Sequence, residues 1–326
     1  GFANIMSNLR IGVPSKGRLS ELAGELLRQA GLSFSRQERN LFARVSEMPI
    51  EVTFLRTDDI PVLCAEGAVD MGITGSDLIG ETGADVETRL ALGIGKCRLA
   101  LCVPEESVCT SPSQLGGHRV ATSFPRITER FFRQHQAEVH LVPISGSVEV
   151  MIALGVADAI VDLVETGSTL AANRLRILDE LGQYETVLIQ NRQRRLGEVA
   201  DRVVRRLEGV VLARAYSLLE YNVPVEKLAE AEEITPGFKS PTVSRLEDPN
   251  WCAVRVMVPR KNVIAVMERL EALEGLLART QFDYADALVQ EQERILDSMK
   301  EGPPEGDAGD APETGVFDRA EEPDEE

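Results

Sequence analysis

The sequence predicts an α/β protein with two similarly built lobes and a small α+β domain towards its C-terminal end. Short apolar strands alternate with segments of helical spacing over residues 9–221, which favours layered, mostly parallel sheets. A strand, turn and helix pattern that ends in Thr-Gly-Ser occurs twice, in VDMGITGSDL (69–78) and VDLVETGSTL (161–170). Beyond Tyr221 the pattern changes to two strands around a turn, then a helix and a last strand. These three observations define the expected fold class.

Length and composition set the broad class of the protein. With 326 residues and 43% hydrophobic content, the chain is long enough to form two or three domains. No segment approaches the roughly 18 consecutive apolar residues of a membrane-spanning helix, and the first residues lack the pattern of a signal peptide. We therefore expect a cytoplasmic protein that makes no contact with a membrane.

Acidic residues outnumber basic ones, and much of the excess lies near the C-terminal end. The net charge is −18, of which −10 comes from residues 301–326, with eleven carboxylates and one arginine. This charge disfavours nonspecific binding of nucleic acid. Leu288, Ile295 and Leu296 have the spacing of a short helix. Residues 289–326 predict an acidic, disordered tail that either improves solubility or binds a basic partner.

The cysteines and histidines do not form a recognisable site. Five cysteines are scattered without a C-x-x-C pair, which disfavours a disulfide framework or a zinc site and favours reduced thiols in the core. The three histidines lack H-E-x-x-H spacing, and none follows a nucleophile motif. Hydrolase and metalloenzyme classes therefore lose most of their support.

The first lobe begins with strand, loop and helix units. A strand from Arg10 leads through a Pro/Gly loop into a helix of regularly spaced leucines that ends at Gly31. PIEVTFLR alternates as a strand, and the next helix has Asp58 or Asp59 as its cap and Gly67 at its end. AVDMGIT follows as a further strand. This succession predicts a mostly parallel sheet.

The two Thr-Gly-Ser copies differ in the residue that follows them. In TGST, Thr169 completes a set of hydroxyl and backbone N–H groups at a helix start, where an anion is favoured. In TGSD, Asp77 occupies that position and its carboxylate would repel a phosphate. From the residues alone, TGST is either a plain helix cap or a phosphate-binding turn.

Several motifs, taken together and in order, resemble one enzyme family. They are VPSKGRL, RTDDIP, DMGITGSDL, GKCRLAL, RVATSFPR and ISGSVEVMIALGVADAIVDLVETGSTLAANRL. From about Leu9 to Asp283 the chain resembles the ATP phosphoribosyltransferases, which catalyse the first step of histidine biosynthesis. The alternative is a noncatalytic solute-binding module or regulatory subunit with the same two-lobed architecture.

The resemblance implies a fold and its domain limits. It implies a two-lobed catalytic core like a type II periplasmic binding protein, followed by a small ferredoxin-like (ACT-like) regulatory domain of the family's long form. The implied limits are 1–102 and 189–221 for lobe I, 103–188 for lobe II, 222–288 for the regulatory domain and 289–326 for the tail.

The resemblance also implies the reaction and its ligands. The phosphoribosyl group of 5-phosphoribosyl 1-diphosphate (PRPP) is transferred to N1 of ATP, and pyrophosphate is released. Mg²⁺ is the implied cofactor, held at Asp162 and mostly through substrate phosphates. Feedback inhibition by histidine and a homo-oligomer between dimer and hexamer are implied as well. Neither nucleic acid nor a membrane is an expected partner.

Matching the family's motifs residue by residue gives candidate site residues. PRPP binding is implied for Asp158, Asp162, Thr166, Gly167, Ser168 and Thr169. ATP binding is implied for Lys16, Arg18, Arg56, Asp70 and Arg98. Catalytic roles are implied for Asp162, Asp158, Lys16 and Arg18. Asp158 has an alternative role in ending the helix before GVAD, and Glu149 after Ser-Gly-Ser belongs either to a helix cap or to the pyrophosphate site.

The C-terminal segment departs from the family pattern near the implied histidine pocket. The implied regulatory positions are Asn222, Phe238, Thr242 and Met257. Asn222 stands where members commonly carry an acid, and a neutral amide holds an ammonium group less well. The connection near Glu274 is also a few residues shorter than usual. Catalysis is therefore a firmer expectation than inhibition by histidine.

Overall fold

A computed structural model of the chain describes residues 8–36, 40–273 and 278–281, with side chains for all but the last of these ranges. The chain divides into two compact units, with the boundary between Tyr216 and Ser217. Among the described residues, no helix combines the length and apolar character needed to cross a membrane. The predicted tail and the short helix at Leu288–Leu296 lie outside the described residues.

The first lobe of the first unit is built as predicted from strand and helix pairs. Its elements are β1 (Leu9–Pro14), α1 (Arg18–Gln29), β2 (Phe42–Arg44), β3 (Ile50–Leu55), α2 (Ile60–Ala65), β4 (Met71–Gly75), α3 (Ser76–Thr82) and β5 (Val86–Ala91). Strand β1 pairs in parallel with both β3 and β4. Their carboxyl ends therefore lie along one edge of the sheet.

The second lobe repeats this plan around its own sheet. Its elements are β6 (Cys97–Pro104), β7 (Arg119–Thr122), α4 (Pro125–Gln134), β8 (His140–Pro143), β9 (Ala159–Val164), α5 (Ser168–Ala172) and β10 (Leu175–Tyr184). The strand order is β10-β6-β9-β7-β8. Strand β7 is parallel to β8 and to β9, whereas β6 pairs antiparallel with β9, and β10 pairs antiparallel with β6.

The chain then returns to the first lobe through β11 (Thr186–Asn191) and α6 (Gly197–Ala215). The first sheet has the order β2-β3-β1-β4-β11-β5. Within residues 40–273, the chain crosses between the lobes twice, from β5 to β6 and from β10 to β11. The crossings fall a few residues before the predicted limits at 102 and 189. One cause is local, because Gly93 and Gly95 have positive φ angles and turn the chain just before β6.

The core explains why these segments form strands and helices. Consecutive residues of β1, from Ile11 to Pro14, are buried, as expected for a parallel strand that is covered on both faces. Helix α1 buries Ala23, Leu26 and Leu27, which lie on one face at helical spacing. All five cysteines are free, which confirms the expectation of reduced thiols.

The second unit is a small sheet covered by helices on one face. Its elements are β12 (Tyr216–Pro224), α7 (Leu228–Ile234), β13 (Thr242–Arg245), β14 (Trp251–Pro259), α8 (Val263–Glu271) and β15 (Ala278–Gln281). The strand order β13-β14-β12-β15 with this βαββαβ succession is the ferredoxin-like arrangement that was expected. The unit begins at Ser217 and not at residue 222, because β12 from Ser217 onward belongs to this sheet.

Candidate active site

The loops of the second lobe gather at the carboxyl ends of its parallel strands. Since β7, β8 and β9 run in the same direction, the residues after Thr122, Pro143 and Val164 lie along one edge. Ligands of open α/β sheets bind at such edges. The predicted TGST turn and the Ser-Gly-Ser loop before Glu149 are both located there.

The TGST turn is open to solvent and differs from a side-chain helix cap. Gly167 precedes α5 with a left-handed backbone (φ 81°), and no side chain caps the helix. The Thr166 and Ser168 hydroxyls lie 3.1 Å apart; Thr166, Ser168 and Thr169 are exposed, and Gly167 is partly exposed. Within the described part of the chain, the backbone N–H groups of Thr166 and Gly167 have no hydrogen-bond acceptor. Hydroxyl and N–H donors therefore remain available to a ligand.

Asp162 lies on β9 two residues before the strand ends. Its Oδ1 accepts a hydrogen bond from the Leu163 N–H at 2.8 Å. Partial burial raises the pKa of the Asp162 carboxyl, and the nearby Glu149 raises it further. Asp162 and Glu149 are therefore neighbouring carboxyl groups towards the carboxyl edge of this sheet, an arrangement that favours a ligand with hydroxyl groups or positive charge.

The first Thr-Gly-Ser copy, TGSD at residues 74–77, has a different backbone conformation and makes different hydrogen bonds. Gly75 is extended (φ −79°), and Thr74 is buried with its hydroxyl donating to the Thr57 carbonyl at 3.2 Å. The Ser76 N–H donates to the Glu185 carbonyl at 2.9 Å, and the Ser76 hydroxyl accepts from the Glu185 N–H at 3.1 Å. The Thr74 hydroxyl and the Ser76 N–H of TGSD are thus used inside the protein, whereas the TGST turn keeps donors open to solvent.

Basic residues of the first lobe reach the same region. Lys16 and Arg18 follow β1 at the carboxyl edge of the first sheet, as predicted from the sequence. The Arg18 guanidinium lies 3.4 Å from the Glu165 carboxylate, directly before the TGST turn of the second lobe. Arg56 follows β3 at the same edge and lies 4.0 Å from Asp58. The fold therefore brings Lys16, Arg18 and Arg56 to one edge and places Arg18 beside the turn.

A cleft between the lobes adjoins this region. Its volume is about 630 Å³, and its lining includes Ser76, Lys96, Cys97, Arg98, Glu165 and Tyr184. Arg98 lies 3.7 Å from Glu180 and presents a cation to the cleft. Burial raises the pKa of the Cys97 thiol to about 11, so this thiol is protonated at neutral pH. The cleft therefore contains cations but no thiolate nucleophile.

Asp158 does not share the site with Asp162. It precedes β9 at the amino edge of the sheet, whereas the TGST turn follows the carboxyl end of that strand. Its carboxylate accepts hydrogen bonds from the Arg119 backbone N–H at 2.9 Å and from Nη2 at 3.1 Å. The prediction of a PRPP-binding or catalytic role for Asp158 is corrected to a structural one. Arg119 holds the pKa of this carboxyl below its usual range.

Asp70 is likewise located at the amino edge, away from Lys16 and Arg18. It precedes β4, and its carboxylate accepts from the Arg10 backbone N–H at 2.8 Å and from Arg194 at 2.9 Å. Because both carboxylate oxygens are occupied at the far end of the strand, the predicted ATP contact of Asp70 is corrected to a structural role.

Two acidic residues near the turn were not assigned by the sequence analysis. Glu165 is the residue immediately before TGST, and its pairing with Arg18 depends on the meeting of the two lobes. Glu149 had two open roles, and its effect on the pKa of Asp162 places it near that carboxyl. The Ser147 side chain makes no cap hydrogen bond, so the helix-cap role has no support here.

The predicted regulatory positions lie on the second unit. In β12 and β14, buried residues alternate with outward ones, which places Asn222 and Met257 on the face opposite the helices. Thr242 pairs with Arg255 and shares that open face. Phe238 precedes β13 and is 60% exposed. Asn222, Thr242 and Met257 therefore share one surface of the sheet.

The donor set near Asp162 is compatible with Mg²⁺ that is bound mainly by a substrate. Among the described residues, no group of three or more His, Cys, Asp or Glu side chains is arranged to hold a metal ion. Mg²⁺ is usually held by one or two carboxylates together with substrate phosphates. Asp162 and the nearby Glu149 supply that smaller set.

Comparison with known proteins identifies the family. A family model described as ATP phosphoribosyltransferase matches residues 56–209, and one described as "HisG, C-terminal domain" matches residues 213–276. An ATP phosphoribosyltransferase of Rhodopirellula baltica is 68% identical over 267 residues, covering 82% of this chain and 89% of that protein. The chain belongs to the ATP phosphoribosyltransferase family.

Other members of the family agree with this assignment. The ATP phosphoribosyltransferase of Methanopyrus kandleri is 44% identical, covering 82% of this chain and 96% of that protein. A chain of the ATP phosphoribosyl transferase (HisG:HisZ) complex from Thermotoga maritima is 29% identical, with a TM-score of 0.56. That match covers 62% of this chain and 98% of the other.

Membership of the ATP phosphoribosyltransferase family gives the activity. The enzyme is a pentosyltransferase that joins PRPP to ATP in histidine biosynthesis. A noncatalytic solute-binding or regulatory role is not favoured. The second match, over residues 213–276, agrees with the long form that the sequence resembles.

Proposed function

We propose that PRPP lies at the carboxyl edge of the second lobe, with its 5′-phosphate on the turn from Thr166 to Thr169 and its ribose towards Asp162. The observation that carries this proposal is the position of Asp162 beside an exposed turn whose N–H groups are free. Arg18 meets Glu165 at the same place. Lys16, Arg18, Arg56 and Arg98 then supply cations for the triphosphate of ATP and for the pyrophosphate.

The reaction requires the protein mainly to position the two substrates and to stabilise charge. The C1–O bond to pyrophosphate breaks while the lone pair of adenine N1 forms the new N–C1 bond. The ribose carries positive, oxocarbenium-like charge in between, and the Asp162 carboxylate stabilises that charge. Since N1 needs no deprotonation, the site works without a histidine or thiolate base. Holding the two substrates in line supplies much of the rate.

Mg²⁺ is part of this proposal. Asp162, with Glu149 nearby, and the substrate phosphates would hold the ion, and its positive charge assists the departure of pyrophosphate. The residues of the chain bind and orient the substrates. When substrate binds, Arg18 leaves its present partner Glu165 and pairs with a phosphate group.

The decisive experiment replaces Asp162 by asparagine. Phosphoribosyl-ATP formation is followed by absorbance with ATP, PRPP and Mg²⁺. We expect kcat of Asp162→Asn to fall about 10²–10³-fold because the carboxylate acts on charge that develops in the transition state. The KM for ATP should change less than about threefold.

Asp158→Asn is the matched control, because it makes the same change just before the same strand, at the opposite edge of the sheet. It should leave kcat within about twofold of the wild type. Equal losses of turnover and of ATP binding in Asp162→Asn would show that Asp162 is structural and would contradict the proposed site.

Regulation, assembly and location remain proposals. Histidine inhibition would act through the open face that carries Asn222, Thr242 and Met257, with Phe238 nearby. A homo-oligomer between dimer and hexamer is proposed from the family resemblance, and light scattering of the purified protein tests it. A cytoplasmic location is proposed because ATP and PRPP are metabolites of that compartment.

A further inference from the structure

Helix α3 belongs to the first lobe but is tied at its start to the crossing segment between the lobes. Its first residue, Ser76, exchanges two hydrogen bonds with Glu185, at 2.9 and 3.1 Å. Glu185 lies between β10 and β11, on one of the two connections between the lobes. The N-terminal end of α3 is therefore anchored at the hinge.

The other end of α3 is fastened to the second lobe. The two Glu81 carboxylate oxygens accept hydrogen bonds from the backbone N–H groups of Arg126 and Ile127, each at 2.9 Å. These N–H groups belong to the first turn of α4, and the residue before that helix, Phe124, supplies no side-chain cap. A carboxylate of one lobe thus caps a helix of the other, where the helix dipole also favours negative charge.

The contact is reciprocal. The Arg126 guanidinium donates to the Thr82 carbonyl at 2.7 Å, and the Arg130 guanidinium donates to the Gly80 carbonyl at 3.2 Å. Both carbonyls lie at the C-terminal end of α3, where cations are favoured. Leu78 of α3 packs against the core of the second lobe. We call these contacts between Gly80–Thr82 of α3 and Arg126–Arg130 of α4 the α3–α4 clasp.

We infer that the α3–α4 clasp fixes the relative orientation of the two lobes across the cleft, and that Glu81 is a positioning residue for phosphoribosyl transfer. Two crossing segments by themselves permit rotation of one lobe against the other. A third fixed point away from the hinge removes much of that freedom. The Arg18–Glu165 pair is too weakly held to do so, since both side chains are exposed and exposed ion pairs contribute little to stability.

The consequence for catalysis follows from the proposed function, on which this inference rests. If PRPP lies on the second lobe and the cations of Lys16 and Arg18 lie on the first, the angle between lobes sets the distance between the reacting groups. A misplacement of about 1 Å can cost on the order of 10²-fold in rate. The clasp therefore affects turnover although none of its residues contacts the proposed ligands.

The test compares Glu81→Gln with the wild type in three measurements. The amide keeps the shape but has one acceptor oxygen, so one N–H of α4 loses its partner. We expect kcat/KM to fall at least tenfold. Binding of PRPP alone, measured by calorimetry without ATP, should stay within about twofold because its 5′-phosphate and ribose are held by the second lobe alone. Hydrogen exchange of a peptide covering residues 123–133 should become faster.

Two further variants complete the experiment. Glu87→Gln is the matched control, because Glu87 is exposed on β5 of the same lobe and the described structure shows it in no side-chain hydrogen bond or ion pair. It should behave as the wild type. Arg126→Met removes the bond to the Thr82 carbonyl but keeps the backbone N–H, and it provides the kinetic result if Glu81→Gln does not fold. It too should lower kcat/KM while PRPP binding is retained.

The inference is overturned if Glu81→Gln and Arg126→Met keep kcat and KM within twofold while exchange in α4 becomes faster, because the clasp would then only stabilise the fold. Asp162→Asn, measured in parallel, separates this failure from a failure of the proposed site. If Asp162→Asn loses turnover and the clasp variants do not, the clasp inference alone is wrong. If Asp162→Asn is fully active and the clasp variants are slow, the proposed site is wrong and the clasp inference is supported.

Discussion

At the scale of single residues, two aspartates at opposite ends of one strand show how position decides function. Asp158 is half-exposed and hydrogen bonded to Arg119, which lowers the pKa of its carboxyl. Asp162 is partly buried and has no cationic partner among the described residues, and burial raises the pKa of its carboxyl. A carboxylate that is already neutralised by arginine has little to offer a positively charged ribose. The unpaired carboxylate of Asp162 can stabilise such a ribose, but its burial lowers the stability of the folded protein.

These opposite shifts predict opposite effects on stability. A lowered pKa means that Asp158 contributes stability above the usual aspartate pKa of about 3.9, and that this contribution is lost only as pH falls through the lowered value. A raised pKa means that the contribution of Asp162 is present below about pH 3.9 and is lost as pH rises through the raised value. At pH 7, Asp158→Asn should lower the Tm and Asp162→Asn should raise it.

Thermal unfolding without substrates, measured from pH 7 to pH 4, checks both signs. For Asp158→Asn we expect a loss of about 1 kcal/mol after screening, or about 2–4 °C for a unit of this size. That loss should persist at pH 4, whereas the gain of Asp162→Asn should shrink as pH falls. A Tm of Asp162→Asn below the wild type at pH 7 would contradict the described environment of Asp162.

At the scale of elements, identical letters adopt different backbones in the two Thr-Gly-Ser segments. The structural counterpart of Asp70 is Asp158, since each follows a left-handed glycine by three residues and accepts from the first residues of a neighbouring parallel strand. Matching the letters of segments 69–78 and 161–170 instead pairs Asp70 with Asp162, which lies four residues after Asp158. The shared letters therefore do not mark equivalent places, although the lobes share their plan.

Gly167 is the residue on which the open turn depends. Its φ of 81° is uncommon for residues with a side chain, and no atom within 4 Å would obstruct an added Cβ. Gly167→Ala should therefore act through backbone strain of about 1 kcal/mol, and we expect the KM for PRPP to rise about fivefold. Initial rates at varied PRPP and saturating ATP measure this effect.

Gly117→Ala provides the comparison for this change. Gly117 has a similar φ of 78°, an equally open surrounding and a place before β7, at the amino edge of the second sheet. Its replacement should lower the Tm and leave the KM for PRPP unchanged. A similar rise of KM in both variants would indicate general loosening of the lobe and not a specific role of the turn.

At the scale of the whole molecule, activity and regulation belong to separate units. The proposed substrate contacts all lie before Tyr216, and the open face with Asn222 belongs to the second unit. Inhibition by histidine would therefore be a coupling between two distinct sites, which requires that the inhibitor bind two states of the enzyme with different affinity. Within the first unit, the α3–α4 clasp is a contact through which orientation of the lobes affects catalysis.

Asn222→Asp tests whether the open face binds an ammonium group. The added carboxylate should strengthen inhibition by histidine about tenfold, because a charge-assisted hydrogen bond replaces a neutral one. The concentration for half-inhibition is measured at fixed ATP and PRPP. The kcat without histidine should not change.

Ser244→Asp is the appropriate control, since it places the same charge on the same open face two residues from Thr242. It should leave the half-inhibition concentration within about twofold. If Asn222→Asp also has no effect, the regulatory assignment of Asn222 is wrong, and the activity assignment is unaffected.

Much of the molecule was predictable from local patterns. The leucines of α1, the alternating residues of β3 and the strands of the C-terminal sheet follow from spacing, because burial of one face imposes a period on the sequence. The TGST turn was recognised as either a cap or an anion site. The free N–H groups and the left-handed Gly167 favour the second possibility.

The sequence by itself determined the alternating α/β elements, the family and the region that contains Asp162 and the TGST turn, because these depend on short spacings and motifs. Only the tertiary structure decided that Asp70 and Asp158 accept hydrogen bonds at the amino edges of the two sheets. It also showed that the two Thr-Gly-Ser segments do not occupy equivalent positions in the lobes, and that Glu81 caps a helix of the other lobe. The physical reason is that the direction of the strands and the contacts between the lobes determine which group meets a given charge or N–H group. These arise from pairings between residues far apart in the chain, and local spacing contains no record of them.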